Sequence, residues 1–144
     1  MKKDISIMQI DPTTNSVIFV VNKVSQITIG ASALAQKIIK RILTLKGSNY
    51  FEPSIGTGFF GLLSTIDPGS VDSIKEATPI LINDLAQQIK DEQAIDMTNG
   101  ITYADDELLS DIQLTSVDFD DTFGGWLISL NIITKSSNTI TISL

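Results

Sequence analysis

A chain of 144 residues with 42% apolar content can bury one hydrophobic core and is short for two, so a single domain spanning 1–144 is expected. It has neither cysteine nor histidine, which excludes disulfides, thiolate or imidazole chemistry and the commonest nitrogen ligand for metals. The net charge of −7 is uneven: residues 1–90 hold nine of the ten Lys and Arg, whereas residues 91–144 hold ten of the 17 acids, so the basic footprint of nucleic-acid recognition is missing there.

In chain order, Met1-Lys2-Lys3 opens like a signal peptide, but Asp4, Gln9 and Asp11 interrupt any apolar stretch, and the run Val17–Val21 is far short of a membrane span. A soluble chain made in a reducing cytoplasm, with no membrane partner, is expected. Ile5, Ile7 and Val17–Val21 flank Asp11-Pro12-Thr13-Thr14-Asn15, whose residues fix φ or bond their own backbone, so a hairpin or two extended arms are expected. Leu34, Ile38, Ile42 and Leu45 recur at steps of four, four and three, one stripe along a helix. Lys46 and Gly47 read as its C-terminal cap, because the residue past a helix end often turns left-handed. Pro53 biases Glu52 toward extended geometry, and Gly56 and Gly58 free the backbone for a turn before a short apolar helix with Phe59, Phe60, Leu62 and Leu63.

Asp67-Pro68-Gly69-Ser70 offers two capping options for a second long helix, along which Val71, Ile74, Leu81, Leu85 and Ile89 keep near-helical spacing. Pro79 removes the hydrogen bond to the carbonyl of Lys75, so a bend, or a restart capped by Thr78, is expected; the phase of the stripe favours the bend. From Asp111 the period becomes two: Ile112 and Leu114, then Trp126, Ile128, Leu130 and Ile132, then Ile140, Ile142 and Leu144 alternate with polar residues. Asp120 to Gly125 and Ser136 to Asn138 are the turns. The predicted fold class is α+β: an extended N-terminal hairpin or arms, two main helices plus a short one, and a C-terminal three-stranded antiparallel meander whose apolar face the helices cover.

Several motifs invite chemistry. Gly56-Thr57-Gly58-Phe59-Phe60-Gly61 fits the dinucleotide pattern, but Pro53 precedes it where a buried parallel strand is needed and Asp67-Pro68 cuts short the helix after it, so it reads as loop geometry. Asp118 to Gly124 resembles a calcium loop, yet Phe123 stands where the sharp turn needs glycine, and a hairpin tip is the simpler reading. Glu52, Glu92 and Glu107 are candidate carboxylates for glycoside hydrolysis, but 17 acids supply candidates by chance and nothing pairs them. No catalytic residue, metal or cofactor is expected. Trp126 could anchor an interface, although its place beside Ile128 and Leu130 explains it as core. Lys37, Lys40 and Arg41 lie off the first stripe, as a solvated face or as a contact for an acidic neighbour.

One stretch is more particular. A helix, then Thr44-x-x-Gly47-Ser48, then Phe51, an acidic-Pro pair at Glu52-Pro53, and Gly56 before Phe59 resembles the small baseplate wedge protein of contractile phage tails, a family also labelled lysozyme-like and related to a baseplate subunit of type VI secretion systems. Ile42 and Leu43 carry the end of the family's helix. Two departures stand out: Asn49 replaces an arginine common in the family, and Ile55 replaces an aromatic. The family's Glu-Pro-Arg signature would fall on Glu92, Gln93 and Ala94, where the second helix is expected to end, and only the glutamate is kept.

The resemblance implies a structural virion component of the tail baseplate. Six copies would ring the tail tube, each docked on other wedge proteins through Glu92, Gln93, Ala94, Asn49 and Pro53. Each would present a strand edge to the tail sheath protein. Thr139, Ile140, Thr141 and Ile142, uncharged and strand-prone at the chain end, are the expected sheath contact, with ordinary sheet formation as their plainer role. A tail-completion or connector module without sheath contact, and a cell-wall hydrolase, are the alternatives.

Overall fold

A computed structural model describes residues 4–5, 8–10, 17–19, 27–59, 61–62, 71–122 and 124–144. The architecture is α+β, as the periodicity predicts. Near the N-terminus, β1 (Asp4–Ile5) pairs antiparallel with β4 (Ile27–Thr28), and β2 (Met8–Ile10) pairs antiparallel with β3 (Val17–Phe19). Val17–Phe19 thus pairs with Met8–Ile10, whereas Ile5, expected to flank the same turn, pairs with Ile27 instead. The turn expected at Asp11–Asn15, the caps expected at Asp67–Ser70, and Phe60, Leu63 and Phe123 lie outside the described residues.

Helix α1 (Gly30–Ile42) buries Leu34, Ala35, Ile38, Ile39 and Ile42, the stripe that the spacing predicts. It stops earlier than expected. Leu45 is half exposed, and Gly47, though at φ +87°, lies well past the helix end. The cap is made at a distance instead. The last four carbonyls of a helix have no partner within it, and here each finds one: Ile39 accepts from the Leu43 amide at 3.0 Å, Lys40 from the Thr44 hydroxyl at 2.6 Å, Arg41 from the Thr44 amide at 3.2 Å, and Ile42 from the Thr57 hydroxyl at 3.0 Å. The stretch after α1 then runs beside 56–57, with the Thr57 amide donating to Thr44 and the Lys46 amide to Thr57. That approach is what Gly56 permits: its φ is +105°, and a Cβ there would lie 2.5 Å from the Thr44 carbonyl oxygen.

Helix α2 (Val71–Thr98) is one 28-residue element through Pro79. Thr78 does not restart it; its hydroxyl donates back to the Ile74 carbonyl at 2.7 Å. Nor does α2 end near Glu92, which lies within the helix six residues before its close. The stop is Asn99-Gly100: Gly100 takes φ +86°, its amide donates to Met97 at 3.1 Å, and the Ile101 amide donates to Asp96 at 2.9 Å. These are the two bonds of a Schellman cap.

Strands β5 (Leu109–Asp120), β6 (Gly125–Thr134) and β7 (Thr139–Ser143) form the meander, in the order β5-β6-β7. β5 breaks register twice, between Leu109 and Asp111 and between Leu114 and Ser116. An extra residue on one strand changes which parity faces inward. Inward positions thus pass from Ile112 and Leu114 to Val117 and Phe119. Trp126 packs against the core, its ring edge-on to Phe119 across the strand pair at 5.1 Å. The core lies between the sheet face bearing Ile112, Val117, Ile128, Leu130, Ile132 and Ile142 and the stripes of α1 and α2, where Ile38, Ile74, Leu85 and Ile89 are fully buried.

Candidate docking groove and sheet edge

β7 is the last strand of its sheet, and its outer side pairs with no other strand among the described residues. The ladder decides which of its backbone groups face outward. Ile128 and Leu144 exchange both amide bonds, at 2.9 and 2.8 Å, and Thr134 donates to Asn138 at 3.0 Å. Bonded pairs alternate with non-bonded ones in an antiparallel ladder, so Ile142 and Ile140 are the bonded partners of Leu130 and Ile132. The amides of Thr139, Thr141 and Ser143 point away from β6. Their side chains share the polar sheet face, where Thr141 donates to Asn131 at 2.8 Å and the Ser129 and Ser143 hydroxyls meet at 3.1 Å. Ile140 and Ile142 turn inward, Ile142 fully buried. Of the four expected edge residues, only Thr139 and Thr141 present amides to the open side.

The second feature is a groove of about 700 Å³ between the loop after α1 and the flank of α2, lined by Arg41, Phe51, Glu52, Pro53, Ser54, Ile55, Gln88, Asp91, Glu92, Ile95 and Asp96. The loop wall is held open by local bonds. The Asn49 side-chain oxygen accepts the amides of Phe51 at 3.1 Å and Glu52 at 3.4 Å, and the Gly47 amide donates to Pro53 at 3.0 Å. This bracing leaves Tyr50 and Phe51 about nine-tenths exposed, their rings edge-to-face at 5.6 Å. On the facing wall, Glu92 accepts from Lys37 at 2.7 Å and from the buried guanidinium of Arg41. Asp91 accepts from Gln87 at 2.7 Å, and Asp96 accepts from the Tyr103 hydroxyl.

The five expected docking residues therefore separate. Glu92 and Pro53 line the groove from opposite sides, although nothing in their sequence separation announces it. Asn49 braces the loop through its side chain. Gln93 is 3% exposed and faces the sheet: its amide donates to the Glu107 carbonyl at 2.8 Å and accepts from the Leu109 amide at 3.0 Å. It holds α2 to the start of β5 and has no surface to offer a partner. Ala94 lies in a different hollow, with Lys90, Met97 and Lys135. Lys37 and Arg41 are neither a solvated face nor open to an acidic neighbour, because Glu92 of the same chain engages both. Sequence reasoning missed Phe51, Gln88, Asp91 and Ile95 as groove residues. No local pattern announces them, because the groove forms only when the loop and α2 come together.

Among the candidate acids for hydrolysis, Glu107 is buried and accepts the Ala104 amide at 3.0 Å, which folds the turn before β5. Glu92 is committed to its two cations, and Glu52 stands on the exposed loop. In the calcium-like segment, the Asp120 carboxylate accepts the Thr122 amide at 2.8 Å and so shapes the hairpin tip. No described helix is long and apolar enough to cross a membrane. The sequence matches no family model, and comparison with curated proteins and with solved structures gave no match.

Proposed function

We propose that this chain is a structural wedge component of a contractile-tail baseplate that docks through its groove and nucleates the first sheath ring by strand addition at β7. Its partners are other wedge proteins and the sheath protein, with the tail tube as a further neighbour, in six copies per baseplate. It is made in the host cytoplasm and built into the virion. It needs no cofactor and performs no catalysis.

The observation that carries the reading is the open edge of β7. Edge strands of monomers are normally blunted by charge, proline, bulges or a covering element. β7 has none of the first three, and its outward amides at Thr139, Thr141 and Ser143 form a ready template for an added strand. The opposite edge is unlike it, since β5 breaks register twice. The groove supports the docking half: exposed aromatics beside a fixed charge network are the composition of interface hot spots.

Thr141→Pro tests this. Proline removes the outward donor and leaves the bonded pairs Leu130–Ile142 and Ile132–Ile140 in place. The variant chain should fold and enter baseplates, and electron micrographs should then show tubes without ordered sheath. Particles that sheathe and contract normally refute initiation at β7. A wild-type chain found at the neck of the tail favours the connector alternative.

A further inference from the structure

We propose that the groove between the 49–55 loop and α2 receives an arginine-bearing apolar segment of a partner protein. This rests on the docking half of the function proposed above and adds the chemistry of the occupant. The groove carries the carboxylates of Glu52, Asp91, Glu92 and Asp96 against the single cation of Arg41, which Glu92 already holds. Acceptors thus outnumber donors.

The apolar part of the groove narrows the choice. Phe51 is 89% exposed on the loop wall and Ile95 61% exposed on the helix wall. A guanidinium has several N–H donors in a planar fork, is weakly hydrated and stacks on aromatic faces, so it can satisfy carboxylates and ring together. An ammonium supplies charge without the stacking. A purely apolar segment would strip water from carboxylates and return nothing, and an acidic one would be repelled. The acidic segment 91–144, with Lys135 its only Lys or Arg, would speed the approach of such a basic partner.

The test is fluorescence anisotropy with the whole chain. The probe is a labelled amphipathic peptide with leucines on one face and two arginines one helical turn apart, compared with a twin in which citrulline replaces both arginines. The arginine peptide should bind saturably and about tenfold more tightly than the twin, a gap of about 1.4 kcal/mol. Asp91→Lys and Phe51→Ala, both at exposed positions and checked by circular dichroism, should each weaken it several-fold. Equal binding of the twins, no saturable binding, or indifference to both substitutions overturns the proposal. If the arginine preference holds while both variants still enter baseplates normally, the docking reading fails and the groove chemistry stands. If incorporation is lost without any arginine preference, the reverse is true.

Discussion

Thr57→Val isolates the bond that ends α1. Thr57 is 6% exposed, and its hydroxyl donates to the Ile42 carbonyl at 3.0 Å while accepting the Phe59 amide at 3.3 Å. Valine keeps the shape and removes both functions, leaving one buried carbonyl and one buried amide without their partner. Each unsatisfied buried group costs about 1–3 kcal/mol, and partial access of water trims the pair to roughly 2–4 kcal/mol. For a chain of this size that corresponds to a fall in Tm of roughly 5–15 °C. Urea unfolding should show a lower midpoint with an unchanged slope, since the surface exposed on unfolding is the same. Thr57→Ser is the control, because it keeps the hydroxyl and should lose well under half as much. Thr44→Val removes a comparable bond at a half-buried site and should cost about 1 kcal/mol or less. A Thr57→Val chain within about 0.5 kcal/mol of wild type refutes the argument that this remote hydroxyl closes the helix, since that is the scatter of an ordinary surface change.

The same network of bonds makes further predictions. Glu92→Lys sets a third cation beside Lys37 and the largely buried Arg41, so the isolated chain should lose roughly 2–3 kcal/mol, less than a fully buried pair because Glu92 is 30% exposed; unchanged Tm would mean the pair is dispensable. Because of that loss, weakened baseplate incorporation by Glu92→Lys cannot by itself be assigned to docking, and Phe51 and Asp91 are the cleaner positions. Gly47→Val should destabilise by about 1–2 kcal/mol through its left-handed φ alone, whereas Gly56→Ala should cost more, because strain there is joined by collision with the Thr44 carbonyl; equal effects in urea titrations would contradict the role given to Gly56. Purified protein should leave the turbidity of a peptidoglycan suspension unchanged, and lysis abolished by a single Glu→Gln change would restore the hydrolase alternative.

The sequence by itself determined the elements and their inward faces wherever the cause was local. Spacings of three and four placed Leu34, Ile38 and Ile42 in the core, and alternation placed Ile128, Leu130 and Ile132 there, because side-chain direction in a helix or strand repeats with the backbone. Where the cause lay elsewhere in the chain, local reading failed. Leu45 kept the helical spacing but fell outside α1, because a hydroxyl 15 residues away takes the last carbonyl. Asn99-Gly100 is a local helix stop, a glycine free to turn left-handed, and α2 runs past Glu92 to reach it. The two bulges of β5 left no mark in residue type, since they answer to the register of β6. The groove belonged to tertiary structure altogether. Lys37 and Arg41 meet Glu92 across separations of 55 and 51 residues, and which charged face is solvated depends on which helix arrives to cover it, a fact no window of sequence contains.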